Sequence, residues 1–64
     1  MTLGEKIYKL RTKRSMTQEQ LAEVLGVTVG AVYKWEARLS QPELSTIMEL
    51  ADFFDTVSYT HLTL

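Results

Sequence analysis

The chain has 64 residues, room for one domain, and no cysteine, so neither a disulfide nor a thiolate metal site can staple it. No apolar run approaches the roughly 20 residues that span a bilayer. Glu5, Lys6, Lys9 and Arg11 interrupt the stretch where a signal peptide would be apolar, so a cytoplasmic protein with no membrane partner is expected. The net charge of -1 is unevenly spread. All seven basic residues precede residue 42, alongside four acids, whereas from Glu43 onward there are four acids and no Lys or Arg. A polyanion responds to the local field and not to the total, so the N-terminal part remains a candidate for nucleic acid.

Thr2-Leu3-Gly4-Glu5 has the form of a capping box, and Leu3, Ile7 and Leu10 follow at helical spacing. This first helix is expected to reach about Arg14, where a basic end suits the macrodipole. A second box, Thr17-Gln18-Glu19-Gln20, opens a helix with Leu21, Ala22 and Leu25 as its buried stripe and Gly26 as its left-handed stop. Thr28 caps a third helix from Val29 to about Glu36, with Val32 and Trp35 inward. Only Gly26-Val27-Thr28 separates the second and third helices, which forces a steep crossing: the helix-turn-helix arrangement.

Residues Ala37 to Gln41 read as a loop, and Pro42 as the first turn of a fourth helix. Leu44, Ile47, Met48, Leu50, Ala51 and Phe54 form its apolar face. The tail from Thr56 to Leu64 is rich in Thr, Ser and Tyr. Three conformations stay open for it: a weak fifth helix capped by Ser58 that buries Tyr59 and Leu62, an extended strand, or a frayed end. The fold class is thus all-α, a compact bundle of four to five helices. Its core is Leu21, Leu25, Val32, Trp35, Leu50 and Phe54.

From Leu3 to about Asp55 the sequence resembles the phage repressor/Cro (XRE-like) helix-turn-helix family, with a lambda-repressor-like bundle. The residues that carry the likeness are Gly4-Glu5-Lys6-Ile7, Leu10-Arg11, Thr17 to Ala22, Leu25-Gly26-Val27, Val32 to Glu36, Gln41-Pro42 and Leu50-Ala51-Asp52. The resemblance implies a DNA-binding domain over residues 1–55. Within it Gln18, at the head of the second helix, bonds a phosphate. The third helix enters the major groove, and Thr28, Val29, Gly30, Tyr33 and Lys34 face bases or flanking phosphates. Arg38 joins them as a phosphate or base ligand, and Arg11 and Glu36 form an internal ion pair. Taken singly, Gln18, Lys34 and Arg38 would be ordinary surface residues, and Arg11 and Glu36 two exposed charges.

Three departures from the family stand out. Ala37-Arg38 replaces the usual Asn-Gly, so a left-handed turn there is either strained or remodelled. Leu39-Ser40-Gln41 lacks the basic residues common in that loop. The stretch Ser58 to Leu64 lacks the acidic fifth helix and resembles translated adapter or vector sequence. Residues 56–64 are therefore read as an atypical, candidate non-native tail, the natural protein continuing differently. Val29 offers only a methyl surface and Gly30 only close approach, so direct readout is thin and DNA shape is expected to contribute.

The expected function is sequence-specific binding of double-stranded DNA as a homodimeric transcription regulator, with repression as the expected sign. The rival is a protein-interaction module, such as an antitoxin or phage-regulator partner, which the acidic C-terminal half favours. His61 stands alone, without the ligands a zinc site needs, and no base–nucleophile–orienter set can be assembled. No enzymatic activity, metal, cofactor or small-molecule ligand is expected.

Overall fold

The structure is a computed structural model that describes the backbone of residues 2–62 and the side chains of residues 2–55. Among the described residues it consists of four helices, α1 (Leu3–Lys13), α2 (Gln18–Leu25), α3 (Val29–Glu36) and α4 (Leu44–Leu62). No helix in the described residues is long and apolar enough to cross a membrane.

Threonine begins each of the first three helices, because its hydroxyl can accept from backbone N–H groups that lack an intrahelical partner. Thr2 Oγ1 accepts from Glu5 N–H at 3.2 Å, and Glu5 Oε1 accepts from Thr2 N–H at 3.1 Å. Thr17 and Gln20 repeat this reciprocal box at 3.0 and 2.8 Å. Thr28 Oγ1 accepts from Ala31 N–H at 3.1 Å without a returning side chain.

The same three helices end alike. A residue in the left-handed conformation follows each one: Ser15 (φ 57°), Gly26 (φ 71°) and Arg38 (φ 63°). The next residue's N–H then reaches back to an open carbonyl: Met16 to Arg11 at 3.1 Å, Val27 to Ala22 at 3.0 Å, Leu39 to Lys34 at 2.8 Å. Ser15, Gly26 and Arg38 donate to Thr12, Glu23 and Trp35 in turn. This double closure is the Schellman motif. Glycine fills the left-handed place in only one of the three. Of the two alternatives at Ala37-Arg38, the strained one holds: Arg38 itself takes the positive φ.

The core draws on every helix. Ile7, Leu21, Ala22, Leu25, Val32, Trp35, Leu50 and Phe54 are buried, with Leu21 and Val32 wholly inaccessible. Burying a large apolar side chain contributes roughly 1.5–3 kcal/mol. α3 packs against both α1 and α2, and α4 closes on α2. Gly4 is buried where α1 meets the end of α3, and a Cβ there would fall on the Trp35 carbonyl oxygen. Arg14 ties α1 to α4: its guanidinium carbon lies 5.2 Å from the Phe54 ring centroid.

Two expectations for the C-terminal third need correction, and continuation of the fourth helix was not among the three conformations left open for the tail. Pro42 stands two residues ahead of α4 and not in its first turn, because Glu43 takes the cap position and its carbonyl accepts from Ile47 N–H at 2.9 Å. Leu44, Met48 and Ala51 are exposed despite their place in the apolar pattern. Successive residues turn by about 100° in a helix, so Leu44 and Ala51 fall on the flank of the stripe made by Leu50 and Phe54, and Met48 on the far side. Finally, the backbone of α4 runs on to Leu62 as one helix, and no separate fifth helix starts at Ser58. No glycine or proline interrupts residues 44–62, and Ser, Thr and Tyr cost a helix less than about 0.7 kcal/mol each. The expected burial of Tyr59 and Leu62 lies outside the described side chains.

Candidate nucleic-acid interface

α3 divides cleanly into two faces. Val32 and Trp35 are buried, Ala31 is partly so, and Thr28, Val29, Gly30, Tyr33 and Lys34 are exposed. Val29 sits one turn from Tyr33, and Gly30 one turn from Lys34, so the four form a single outward patch. Val29 and Tyr33 are 45% and 55% exposed, so an apolar and an aromatic side chain face outward on this helix. Gly30 is not required by packing. A Cβ there would meet only Thr28 Oγ1, at 3.9 Å. Thr28 Oγ1 uses one of its two lone pairs on Ala31 N–H, which leaves the other lone pair and the hydroxyl hydrogen for an outside partner.

Arg38 follows the end of the same helix and is exposed. Lys34 on the outward face and Arg38 just past the helix end carry two positive charges, of which Arg38 is near enough to Glu5 of α1 to help lower that carboxyl's pKa. Glu36, the acid nearest them in the chain, does not cancel them from the surface. Its side chain is only 7% exposed and is tied up internally. Arg11 Nε donates to Glu36 Oε2 at 2.7 Å and Arg11 Nη2 donates to Oε1 at 2.9 Å, a bidentate clamp between α1 and the end of α3. Arg11 Nη1 donates to the Met16 carbonyl at 2.7 Å, fixing the turn into α2. The hydrogen bond and charge of Glu36 raise the Arg11 pKa above its ordinary value, against the opposing effect of burial.

Gln18 opens α2, where the macrodipole presents positive potential and free N–H groups. It is half-buried, and its Nε2 donates to Glu36 Oε1 at 3.1 Å. This bond was not anticipated. Residues 18 apart give no periodic signal, and only the fold brings the two together. The structural use of Gly4 was missed for a similar reason, although Gly4 lies within the family motif. Of the candidate DNA ligands, Thr28, Val29, Gly30, Tyr33 and Lys34 share one face of α3. Arg38 lies beyond its C-terminal end and Gln18 at the head of the neighbouring helix, bonded to Glu36 at α3's last turn.

Comparison with known proteins places this geometry in a family. The helix-turn-helix family matches residues 7–62. The chain is 41% identical over 54 residues to the HTH-type transcriptional activator BcrR of Enterococcus faecalis, covering 84% of this chain and 26% of that protein. It is 32% identical over 53 residues to an uncharacterized HTH-type transcriptional regulator of Rickettsia prowazekii, with 83% of this chain and 41% of that one covered. The SPbeta prophage-derived HTH-type regulator YonR of Bacillus subtilis is 33% identical over 49 residues, covering 77% and 45%. The chain therefore spans from a quarter to under half of these relatives' lengths. No solved structure matches it. With two capped helices joined by Gly26-Val27-Thr28, a third helix open on one face, and this match over most of its length, the chain belongs to the helix-turn-helix family, as a domain of the phage repressor/Cro (XRE-like) type.

Proposed function

We propose that this domain binds double-stranded DNA sequence-specifically as the reading head of a cytoplasmic transcription regulator. The observation that carries the proposal is the outward patch of α3. Val29, Gly30, Tyr33 and Lys34 are excluded from the core while the opposite face of the same helix is clamped to α1 and α2. A helix held rigidly on one side and open on the other suits insertion into a major groove. In this reading Thr28, Tyr33 and Lys34 supply the polar contacts to bases. Val29 meets a thymine methyl, Gly30 permits close approach, and Gln18 and Arg38 hold phosphates. The names of the three relatives support regulation of transcription.

The binding unit is residues 1–55, and it acts as a homodimer. One such module covers only about 600–1,000 Å² on DNA, so a second copy is needed for a specific site. Repression is the proposed sign, since a domain seated in a groove can block a promoter by occupancy alone. A reporter that gains transcription, as the name of the Enterococcus faecalis relative would suggest, refutes that sign while leaving DNA binding intact.

Selection of bound sequences from random duplex DNA tests the proposal. It should return two related half-sites whose centres lie about 10–10.5 base pairs, or a multiple, apart. Recovery of no preferred sequence would refute specific binding. The alternative is a protein-interaction module, favoured by Glu43, Glu49, Asp52 and Asp55, all exposed on or just ahead of α4. That reading predicts no enrichment in the same experiment.

A further inference from the structure

Glu36 does more than neutralise Arg11. Its Oε1 accepts twice, from Arg11 Nη2 at 2.9 Å and from Gln18 Nε2 at 3.1 Å. We propose that Glu36 is a positioning residue for the DNA-backbone contact. Anchored by Arg11, it holds the Gln18 side chain in one rotamer at the head of α2, with one amide hydrogen turned inward and the other left for a phosphate oxygen. The proposal rests on the DNA-binding reading above.

The chemistry of the groups fixes the orientation. A carboxylate only accepts, so the amide nitrogen of Gln18 must be the atom that faces it. A phosphate oxygen also only accepts, so the remaining N–H is the useful one, and the amide oxygen is not. Nor can Glu36 swing away. Both its oxygens are held by Arg11, whose third nitrogen is anchored on the Met16 carbonyl at 2.7 Å. The Arg11 and Glu36 side chains are 10% and 7% exposed, so water competes weakly for these bonds. Arg11 also removes the repulsion that a bare carboxylate would exert on a nearby phosphate. A glutamine already ordered before binding avoids the rotamer cost of ordering it at the interface, a benefit of about two- to tenfold in affinity.

If Glu36 served the fold alone, its substitution would weaken DNA binding equally whatever residue stood at 18. If it works through Gln18, the two substitutions must be coupled. The test is a double-mutant cycle of Glu36→Gln and Gln18→Ala, read as affinity for the duplex returned by selection, at a temperature where each variant is folded by circular dichroism. Glu36→Gln should weaken binding about fivefold with Gln18 present and less than about twofold on the Gln18→Ala background. A second measurement needs no variant. In the free protein the side-chain amide of Gln18 should show an NMR order parameter near the rigid value of about 0.85, while the exposed Gln41 should fall below about 0.6. If Glu36→Gln does not fold, this comparison decides alone, and a Gln18 value below about 0.6 overturns the proposal. Equal losses in both backgrounds overturn it and leave the DNA reading standing. Failure of the unsubstituted chain to bind any duplex removes both.

Discussion

Replacing Arg38 by glycine should separate stability from binding. Arg38 holds φ at 63°, and its N–H and that of Leu39 close the end of α3 on Trp35 and Lys34 at 3.2 and 2.8 Å. For a residue with a Cβ the left-handed region costs about 1–2 kcal/mol. Glycine removes that cost but brings back about 0.5–1 kcal/mol of extra chain entropy in the unfolded state. The expected balance is a gain of about 0.5–1 kcal/mol. In a domain of 60–100 residues about 1 kcal/mol raises the melting temperature by roughly 4–8 °C. Thermal and urea unfolding by circular dichroism measure it, and the urea slope should be unchanged because no surface is gained or lost. DNA affinity should move the other way. Loss of one cation from the phosphate face should shrink the slope of log affinity against log salt by about one unit. Arg38→Asn, which tolerates the left-handed conformation without the charge, should give the same loss of slope with part of the gain in stability. A melting temperature that stays or falls in Arg38→Gly would refute the strain argument.

Gly4→Ala should destabilise the domain by about 1–3 kcal/mol in urea unfolding, because its Cβ would fall on the Trp35 carbonyl and the backbone cannot yield cheaply. Gln18→Ala should weaken selected and random duplexes by similar factors, whereas Lys34→Ala should cost about 1–3 kcal/mol on the selected duplex and relax one base-pair preference; competition binding distinguishes the two patterns. The bonds from the Thr2 backbone and then its hydroxyl hold the Glu5 carboxyl below its usual pKa of 4.5. A folded pKa below the unfolded one stabilises above the unfolded value and stops stabilising as pH falls through the folded one. Amide protection at the start of α1 should therefore drop as pH is lowered from 5 through the carboxylate range, and Glu5→Gln should abolish that dependence.

Local chemistry made the first three helices readable. Thr2, Thr17 and Thr28 mark their starts because a hydroxyl there satisfies specific backbone donors, and the capped segments are short enough for the apolar spacing to be unambiguous. Leu21, Leu25, Val32 and Trp35 were legible as core for the same reason. What the sequence hid was either non-local or a matter of degree. The Gln18–Glu36 bond and the close approach of Gly4 to α3 exist only once three helices are assembled. Ser15 carries no mark of its left-handed turn, since the preference for glycine is one that tertiary structure can override. In α4 the apolar residues outnumber the positions the small core can cover, so Leu50 and Phe54 were legible as core while the apolar face was drawn too wide by Leu44, Met48 and Ala51. The end of α4 was obscured because Thr, Ser and Tyr disfavour a helix too weakly to stop one. For the interface, the spacing of Val29, Gly30, Tyr33 and Lys34 already implied one face; the burial of Glu36, which takes its charge off the surface beside Lys34, did not show.

The most direct test of the central claim is the salt dependence of binding to duplex DNA. A domain that docks on phosphates through Gln18 and through cations such as Arg38 releases counterions as it binds, so log affinity must fall linearly with log salt concentration, by about 0.9 unit for each phosphate neutralised by a cation. The predicted result is a falling line for the unsubstituted chain and one shallower by about one unit for Arg38→Gly. A flat line, or no binding to duplex at about 50 mM salt where the electrostatic attraction is strong, would contradict the account.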